Sequence, residues 1–382
     1  MSIAAPGSGT LPAMARAIAT TIVVAIPVFL VGGLAVQIGA DLHFSAAGTG
    51  LATGAYFAAA ALTAVPSGAL VERFGARRVS RYGIALSAAS LIAIGAAAHS
   101  LASLIALLVL GALGNAMGQL AGNASLSRRV PVRRQGLAFG LKQASIPACT
   151  LLAGAAVPAV ALTLGWRWAF VAAGLLCLPV LAVPPDDAVP SRKERQRVPR
   201  PILILGVAAA IGSSGANALG AFVPLSAVSR GVSPQFAGVL LTVGSAVCVV
   251  ARVAGGWQAD LRPDSQVGVI AALMACGSAG LLFLSFSGTA TMTWGVVLGF
   301  GFGWSWPGLL NFAVVRLHPQ APAAASSVTL TGAQAGACLG PLGLGTVAQT
   351  VGYTRMWTIA SVALAIGALL MVAASRALMK GS

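Results

Sequence analysis

The stretch GALVERFGARR, Gly68 to Arg78, packs Glu72, Arg73, Arg77 and Arg78 into one short segment between two apolar runs, 47–71 and 80–98. Charges at that density cannot lie in hydrocarbon, where an ionised side chain costs about 2.5–3.5 kcal/mol even on the most lenient scale. The segment is also too short to fold by itself. It reads as a tight surface turn at which the chain leaves a membrane and re-enters it, with Gly75 available for the reversal.

The rest of the chain has the same character. Hydrophobic residues make up 58% of the 382 positions and charged residues 8%, against about 25% charged in a soluble domain, and the mean hydropathy is +0.91. The apolar runs are long and unbroken, so a membrane barrel of alternating strands is excluded. At about 20 residues per crossing, the spans are expected near 14–40, 47–71, 80–98, 101–126, 136–163, 167–184, 202–228, 234–259, 266–286, 289–315, 322–350 and 355–378. The fold class is therefore an all-α integral membrane protein with twelve transmembrane helices. The first run is too long to be a cleavable signal and is expected to remain as span one.

The net charge of +16 would suggest nucleic acid in a soluble protein, but its placement gives another reason. Of the 23 Lys and Arg, only Arg167, Arg230 and Arg355 fall on one side of the membrane; Lys142 and Arg252 fall within spans, and all the others are on the opposite side. The positive-inside rule then puts both termini in the cytoplasm. The basic balance encodes orientation in a plasma (inner) membrane, and no nucleic acid partner is expected. The five cysteines lie in apolar spans at no metal-ligand spacing and read as small core residues; no metal or other cofactor is expected.

A shift of 188 positions superimposes Gly68 on Gly256, Glu72 on Asp260, Gly111 on Gly299, Asn123 on Asn311, Arg128 on Arg316 and Arg167 on Arg355. One constant offset through loop, helix and helix end marks a duplicated six-helix unit. The organisation expected is a cytoplasmic tail 1–13, a first half 14–184, a charged, proline-bounded cytoplasmic linker 185–201, a second half 202–378 and a tail 379–382. Parallel repeats of this kind place a binding site between the halves near the bilayer midplane.

With the duplication in place, GALVERFGARR resembles the signature loop of the major facilitator superfamily: Gly68, Glu72, Arg73, Gly75, Arg77 and Arg78 fill its pattern, with Glu where Asp is commoner. The second copy, GGWQADLRPDSQ, keeps Gly256, Asp260 and Arg262. RRQG, Arg133 to Gly136, and GWRWAF, Gly165 to Phe170, add to the likeness, which spans the whole chain. The resemblance implies a secondary transporter working by alternating access, with this loop and Asp260 as a conformational latch and with spans one, four, seven and ten lining a central cavity. In the physical reading, Gly68 allows close helix approach and Glu72 pairs with Arg73 or Arg77.

The seven acids all fall in loops or at helix ends, as do His43, His99 and His318. Many proton-coupled members of that family carry a carboxylate on span one or four; its absence here argues against that form of proton coupling. Two buried cations remain. Arg252, on span eight, is expected to pair with a helix-end carbonyl or to reach the interface, with solute binding as the alternative. Lys142, followed by Gln143 and by Pro147, which frees a carbonyl, is the stronger candidate for holding a solute. A cavity with buried positive charge and no buried acid favours a small anionic organic solute.

Asn115, Gln119 and Asn123 recur every four residues along span four and share a face, and Asn217 lies on span seven. On span ten, GFGFGWSWPG, Gly299 to Gly308, lacks the Lys-Ser/Thr of a phosphate loop and reads as a flexing helix with Trp304 or Trp306 at the cavity. Tyr56 on span two is a further cavity candidate. The glycine-proline motif that drug antiporters carry on span five is replaced here by Ile146-Pro147, while Gly340-Pro341 falls on span eleven. Export of neutral or cationic drug-like compounds is thus the second reading. No Ser/His/Asp or metal constellation suggests an enzyme. The partners expected are a small-molecule solute and the lipid bilayer, with a coupling ion left open, and the protein is expected to be a monomer.

Overall fold

The computed structural model describes residues 10–185, 200–262, 266–317 and 322–380; most of the expected linker, and His318, lie outside the described residues. Every regular element is helical, as hydrocarbon requires of a chain that must satisfy its own backbone. In the first half these are α1 (Thr10–Gly33), α2 (Ala35–Leu42), α3 (Ala46–Phe74), α4 (Ala76–Ala97), α5 (Leu101–Arg129), α6 (Gln135–Ala156) and α7 (Trp166–Cys177). In the second they are α8 (Arg200–Val228), α9 (Pro234–Leu261), α10 (Gln266–Phe283), α11 (Thr289–Leu298), α12 (Pro307–Leu317), α13 (Pro322–Val351) and α14 (Tyr353–Lys380). Eight described helices are each long and apolar enough to cross a membrane. The other crossings are α3, α13, α7 with its continuation to Ala182, and α11 with α12, which makes twelve.

The opening loop folds as a turn between α3 and α4. Gly75 has φ +84°, a conformation that strains any residue carrying a Cβ. Gly68 does not play the expected part: a Cβ built there meets only the tip of Leu120, at 4.0 Å. Its repeat partner Gly256 is the crowded one, lying where a Cβ would come 2.8 Å from the Gly136 carbonyl oxygen of the other half. Close approach is thus a property of the second copy.

Two of the expected spans depart from regular α geometry. Span one is distorted at Leu34, between α1 and α2, although the Leu34 N–H still bonds the Leu30 carbonyl and the Ile38 N–H the Leu34 carbonyl, each at 2.9 Å. Span ten leaves α geometry at Gly299–Gly303, a π-helical segment, and turns at residues 304–306 before α12 begins. Pro307 explains the second break, because it lacks an N–H and disfavours helical geometry at the residue before it. The glycines there serve packing as well. α10 presses Gly277 and Gly280 against the backbone of Gly303 and Gly299, leaving no room for a side chain.

The halves meet through small residues. α6 crosses α9 with Gly136 and Gly140 against Gly256, and α3 meets α13 with Gly50 against Pro341 and Gly345. Toward the arginine-poor face, α1 and α8 approach so closely that a Cβ on Gly32 would lie 2.6 Å from the Gly220 carbonyl oxygen. From Thr20 to Gly33, α1 is buried on every side apart from a partly exposed Ile22, whereas Leu11, Pro12 and Ala15 near the arginine-rich face are exposed. α8 repeats the pattern, with Leu203 and Val207 exposed and Gly215–Ala227 almost wholly buried. The two halves therefore pack closely through α1 and α8 toward the arginine-poor face, while toward the arginine-rich one they remain in contact through α6 and α9. The expectation that all five cysteines are core residues fails for Cys276, which is exposed on the outer surface of α10; Cys149, Cys177 and Cys248 are buried.

Candidate functional site

Lys142 is enclosed between α1, α5 and α6. Only 2% of its surface is exposed, and its Cε lies where a Cβ on Gly122 would come within 3.2 Å. Glycine at 122 is what makes space for the long side chain. Its Nζ donates to Gln119 Oε1 at 2.5 Å, and that neutral amide is its hydrogen-bond partner among the described residues. On the same three helices, three polar atoms are buried and without a hydrogen-bond partner: Thr20 Oγ1 on α1, Asn115 Oδ1 on α5 and Ser145 Oγ on α6. Asn115 sits one turn from Gln119, and Ser145 one turn from Lys142. Thr20 packs on Gly118, next to Gln119. Three buried polar atoms without partners are a costly arrangement, because each such group loses about 1–3 kcal/mol.

Arg252 has the opposite character. It is equally buried, at 3% exposure, but three of its N–H groups are held by backbone carbonyls. Nε and Nη2 donate to the Trp304 carbonyl oxygen at 3.1 and 2.6 Å, and Nη1 donates to the Gln143 carbonyl oxygen at 2.6 Å. The group also lies 5.5 Å from the centroid of the Trp304 ring. Both acceptors are carbonyls that a break has set free. Gln143 lies four residues before Pro147, which has no N–H to return, and Trp304 lies at the break that Pro307 imposes on span ten. One side chain on α9 thus ties α6, in the first half, to the irregular segment between α11 and α12. The candidate Gln143 is joined to Arg252 through its backbone, while its side chain packs near Gly308.

At the arginine-rich face, Asp260 crosses between the halves. Its Oδ1 accepts from the Gly136 N–H at 2.9 Å and its Oδ2 from the Leu137 N–H at 2.8 Å. These are donors at the N-terminus of α6, where no partner exists within the helix and the dipole favours negative charge. Of the other latch residues, Arg73 is exposed and lies 5.1 Å over the ring of its neighbour Phe74. Arg77 and Arg78 are exposed in the first turn of α4. The side chain of Glu72 lies outside the described residues.

The remaining candidates fall elsewhere. Asn217 and Gly220 on α8 line a narrow cleft with Phe29 of α1 and Thr53 and Phe57 of α3; the Asn217 amide donates back to the Ser213 carbonyl at 2.9 Å. Trp304 closes one side of this region, edge-on to Phe29 at 5.8 Å and to Phe300 at 5.5 Å. Trp306 is fully buried, with its indole N–H on the Gly303 carbonyl. Tyr56 is fully buried too, its hydroxyl donating to the Val24 carbonyl at 2.8 Å. The structure therefore brings together Lys142 with Gln119, and Arg252 with Gln143 and Trp304, but does not join Tyr56 or Trp306 to either group. Phe29 and the hydroxyl pair Ser245–Thr150, 2.7 Å apart across the halves, were not picked out from sequence: Phe29 is one apolar residue among many, and the hydroxyls belong to no spaced pattern. At the arginine-poor face, Asp41 accepts from Arg167 at 2.6 Å and from the Trp166 indole at 3.1 Å. These two donors, Arg167 first, hold its carboxyl below the usual aspartate value.

The family model of the Major Facilitator Superfamily matches residues 17–341. A chloramphenicol resistance protein of Streptomyces lividans is 27% identical over 343 residues, covering 85% of this chain and 86% of that one. Among solved structures, a bacterial homologue of the human lysosomal transporter Spinster, inward-facing and unoccupied, superimposes with a TM-score of 0.77 at 16% identity, covering 98% of this chain and 99% of that one. The proton:xylose symporter XylE bound to 6-bromo-6-deoxy-D-glucose superimposes with a TM-score of 0.72 at 12% identity, covering 96% of each chain.

Proposed function

The chain belongs to the major facilitator superfamily and is a transporter, and we propose that its cargo is a small anionic organic solute carried by alternating access. The observation that carries this reading is the contrast between the two buried cations. Arg252 is held by three hydrogen bonds to two carbonyls that tie the halves together, whereas Lys142 has one neutral acceptor and two further N–H donors. An anion reaching Lys142 would supply the missing counter-charge, and Thr20, Ser145, Asn115 and Gln119 would supply hydrogen bonds. Binding there would give the Thr20 and Ser145 hydroxyls an acceptor.

In this reading the halves, 14–184 and 202–378, rock about the α6–α9 and α3–α13 contacts. Asp260 releases the α6 N-terminus as they do so, which is the latch role. The monomer sits in the plasma (inner) membrane with both termini cytoplasmic, so the arginine-rich face is the cytoplasmic one. The distribution of Lys and Arg supports this orientation.

The test is thermal stabilisation of the purified chain by a panel of acidic solutes, wild type beside Lys142→Ala. A bound solute at 100 times its Kd stabilises by about 2.7 kcal/mol, so the wild type should gain and the variant should not. If acidic solutes stabilise neither protein, or both equally, the anionic reading fails. The second reading, export of a neutral drug-like compound, is favoured by the relative named for chloramphenicol resistance. It predicts that chloramphenicol stabilises both proteins alike.

A further inference from the structure

We propose that a groove on the outer surface of the second half, between α10 and α14, binds one anionic phospholipid of the cytoplasmic leaflet, with an acyl chain in the groove and the phosphate on Arg376. This site does not depend on the solute or on Lys142, and its place in the cytoplasmic leaflet rests on the orientation proposed above. The groove has a volume of about 490 Å³ and is lined by Gly268, Ala272 and Ala275 of α10 and by Ala365, Ala368 and Val372 of α14. Ligand pockets are of this size, about 300–1,000 Å³.

Small residues on a membrane helix ordinarily let another helix approach. Gly268, Ala272 and Ala275 are instead exposed, and a Cβ built on Gly268 meets nothing within 4 Å. Glycine weakens a helix relative to alanine, and no contact within the protein calls for it at this position. The space is bounded at one end and open at the other. Toward the bilayer centre, the Ser361 hydroxyl donates to the Ser278 carbonyl at 2.8 Å and ties α14 to α10; Ser278 itself lines the groove. From Gly268 to Ser278 the helix rises about 15 Å, one leaflet of a hydrocarbon core about 30 Å thick. At the open end, Ala365, Ala368, Val372 and Arg376 recur at helical spacing on one face of α14, so the exposed arginine stands one turn past the groove. Arg262, also exposed, precedes α10, where the buried Gln266 side chain donates to its carbonyl. Neither α10 nor α14 carries an acid, and Asp264, ahead of α10, lies outside the described residues. An anionic headgroup is then the counter-charge within reach of Arg376, and the cytoplasmic leaflet supplies such headgroups.

A fatty chain suits this shape better than a helix does. A second copy would meet the groove with the same groove, because the patches of a two-fold pair are identical, and two concave faces leave the space between them unfilled. The groove also runs through one leaflet, whereas a crossing helix needs about 20 residues of apolar length. Occupancy bears on the broken helix of the second half. At 3.6 residues per turn, Gly277 lies on the side of α10 opposite Gly268 and Ala275, and there it presses on Gly303 in the break of span ten. A lipid in the groove therefore backs α10 behind that contact.

The experiment uses the full-length chain purified in dodecyl maltoside and titrated with dioleoylphosphatidylglycerol or dioleoylphosphatidylcholine in mixed micelles, with bound lipids counted by native mass spectrometry. The wild type should retain one phosphatidylglycerol in preference to phosphatidylcholine and should melt at a higher temperature with it. Arg376→Gln should bind phosphatidylglycerol about fivefold more weakly, the worth of one basic residue at an anionic surface, and phosphatidylcholine as before. Gly268→Leu, which has room for its side chain, fills the groove; it should lose the retained lipid yet melt like the wild type in lipid-free micelles. Ala272→Leu, one turn on and also exposed, repeats that test if the first variant folds poorly. Equal retention of both lipids by the wild type, unaltered affinity in Arg376→Gln, or undiminished phosphatidylglycerol on both leucine variants overturns the site. So does a wild-type dimer that either leucine variant converts to monomer, since the groove would then belong to a second copy. None of these results bears on the anionic solute, which is tested separately by Lys142→Ala.

Discussion

Replacing Arg252 with Met should destabilise the protein by an amount that depends on whether residue 147 is proline. In the wild type, the guanidinium supplies donors to the Gln143 and Trp304 carbonyls. Arg252→Met leaves both buried acceptors bare, at about 1–3 kcal/mol each by general experience. Hydrogen bonds measured in one membrane protein averaged about 0.6 kcal/mol, so the lower end applies, and a total of about 2 kcal/mol is expected. Pro147→Ala restores an N–H four residues after Gln143 and gives that carbonyl an intrahelical partner. In the Pro147→Ala background, Arg252→Met then orphans only the Trp304 oxygen and should cost about half as much. The double-mutant cycle should therefore show a coupling of about 1 kcal/mol, roughly a fivefold change in the unfolding constant. Equilibrium unfolding in mixed micelles, at four protein variants, is the assay. Additivity within about 0.3–0.5 kcal/mol would refute the claim that Arg252 serves the carbonyl that Pro147 releases.

Three further outcomes follow from the same contacts. Gly50→Val drives a side chain into the Pro341 carbonyl and should open the arginine-poor face; a cysteine placed at Ser45, which now bonds Gln349, should react faster with an impermeant maleimide in this background than in an otherwise native chain. Asp260→Ala removes the acceptor of two α6 N–H groups and, by analogy with helix caps, should cost about 0.5–2 kcal/mol while altering the solute exchange rate; an unchanged rate in proteoliposomes would count against the latch. The lowered Asp41 carboxyl contributes stability that is present above the unfolded value of about 3.9 and is lost as pH falls through the folded one. Because the pair with Arg167 is partly exposed, the loss should not exceed about 1 kcal/mol, and Asp41→Asn should remove that slope from unfolding curves taken at decreasing pH.

The spans, the turn at Gly75 and the duplication were legible because each leaves a mark at short range or at one fixed offset. Pro147 was legible in part: that it frees a carbonyl follows from one residue type. The donor that fills the carbonyl, Arg252, lies far along the chain, and nothing in the local pattern pairs them. The same holds for Asp260, whose repeat position was visible but whose partners, two backbone N–H groups, have no side-chain signature. The break in span ten was readable from Pro307 and was masked by the apolar run around it. Gly68 and Gly256 occupy equivalent places in sequence, yet only the second is crowded, because crowding depends on which helix lies opposite.

That inequality extends to the chemistry. Under the 188-residue offset, Lys142 corresponds to Leu330, Gln119 to Pro307, Asn115 to Gly303, Thr20 to Ala208 and Ser145 to Ala333, while Arg252 corresponds to Ala64. The duplication has therefore kept the scaffold and divided the roles. The first half holds the ammonium and the polar atoms around it; the second holds the broken helix, where Pro307 and Gly303 stand in place of the polar pair, and the arginine that spans the break. A solute on Lys142 would lie next to Gln143, whose carbonyl is the first-half anchor of Arg252. Charge at position 142 and the tie between the halves at position 143 share one turn of α6, so occupancy of the site has a direct route to the contact that must change when the halves rock. Transplanting lysine to Leu330 would place a second ammonium on α13, away from the Arg252 tie, and should yield a protein that binds benzoate without gaining a faster exchange of it across proteoliposomes; acceleration there would mean that the link through Gln143 is not the route.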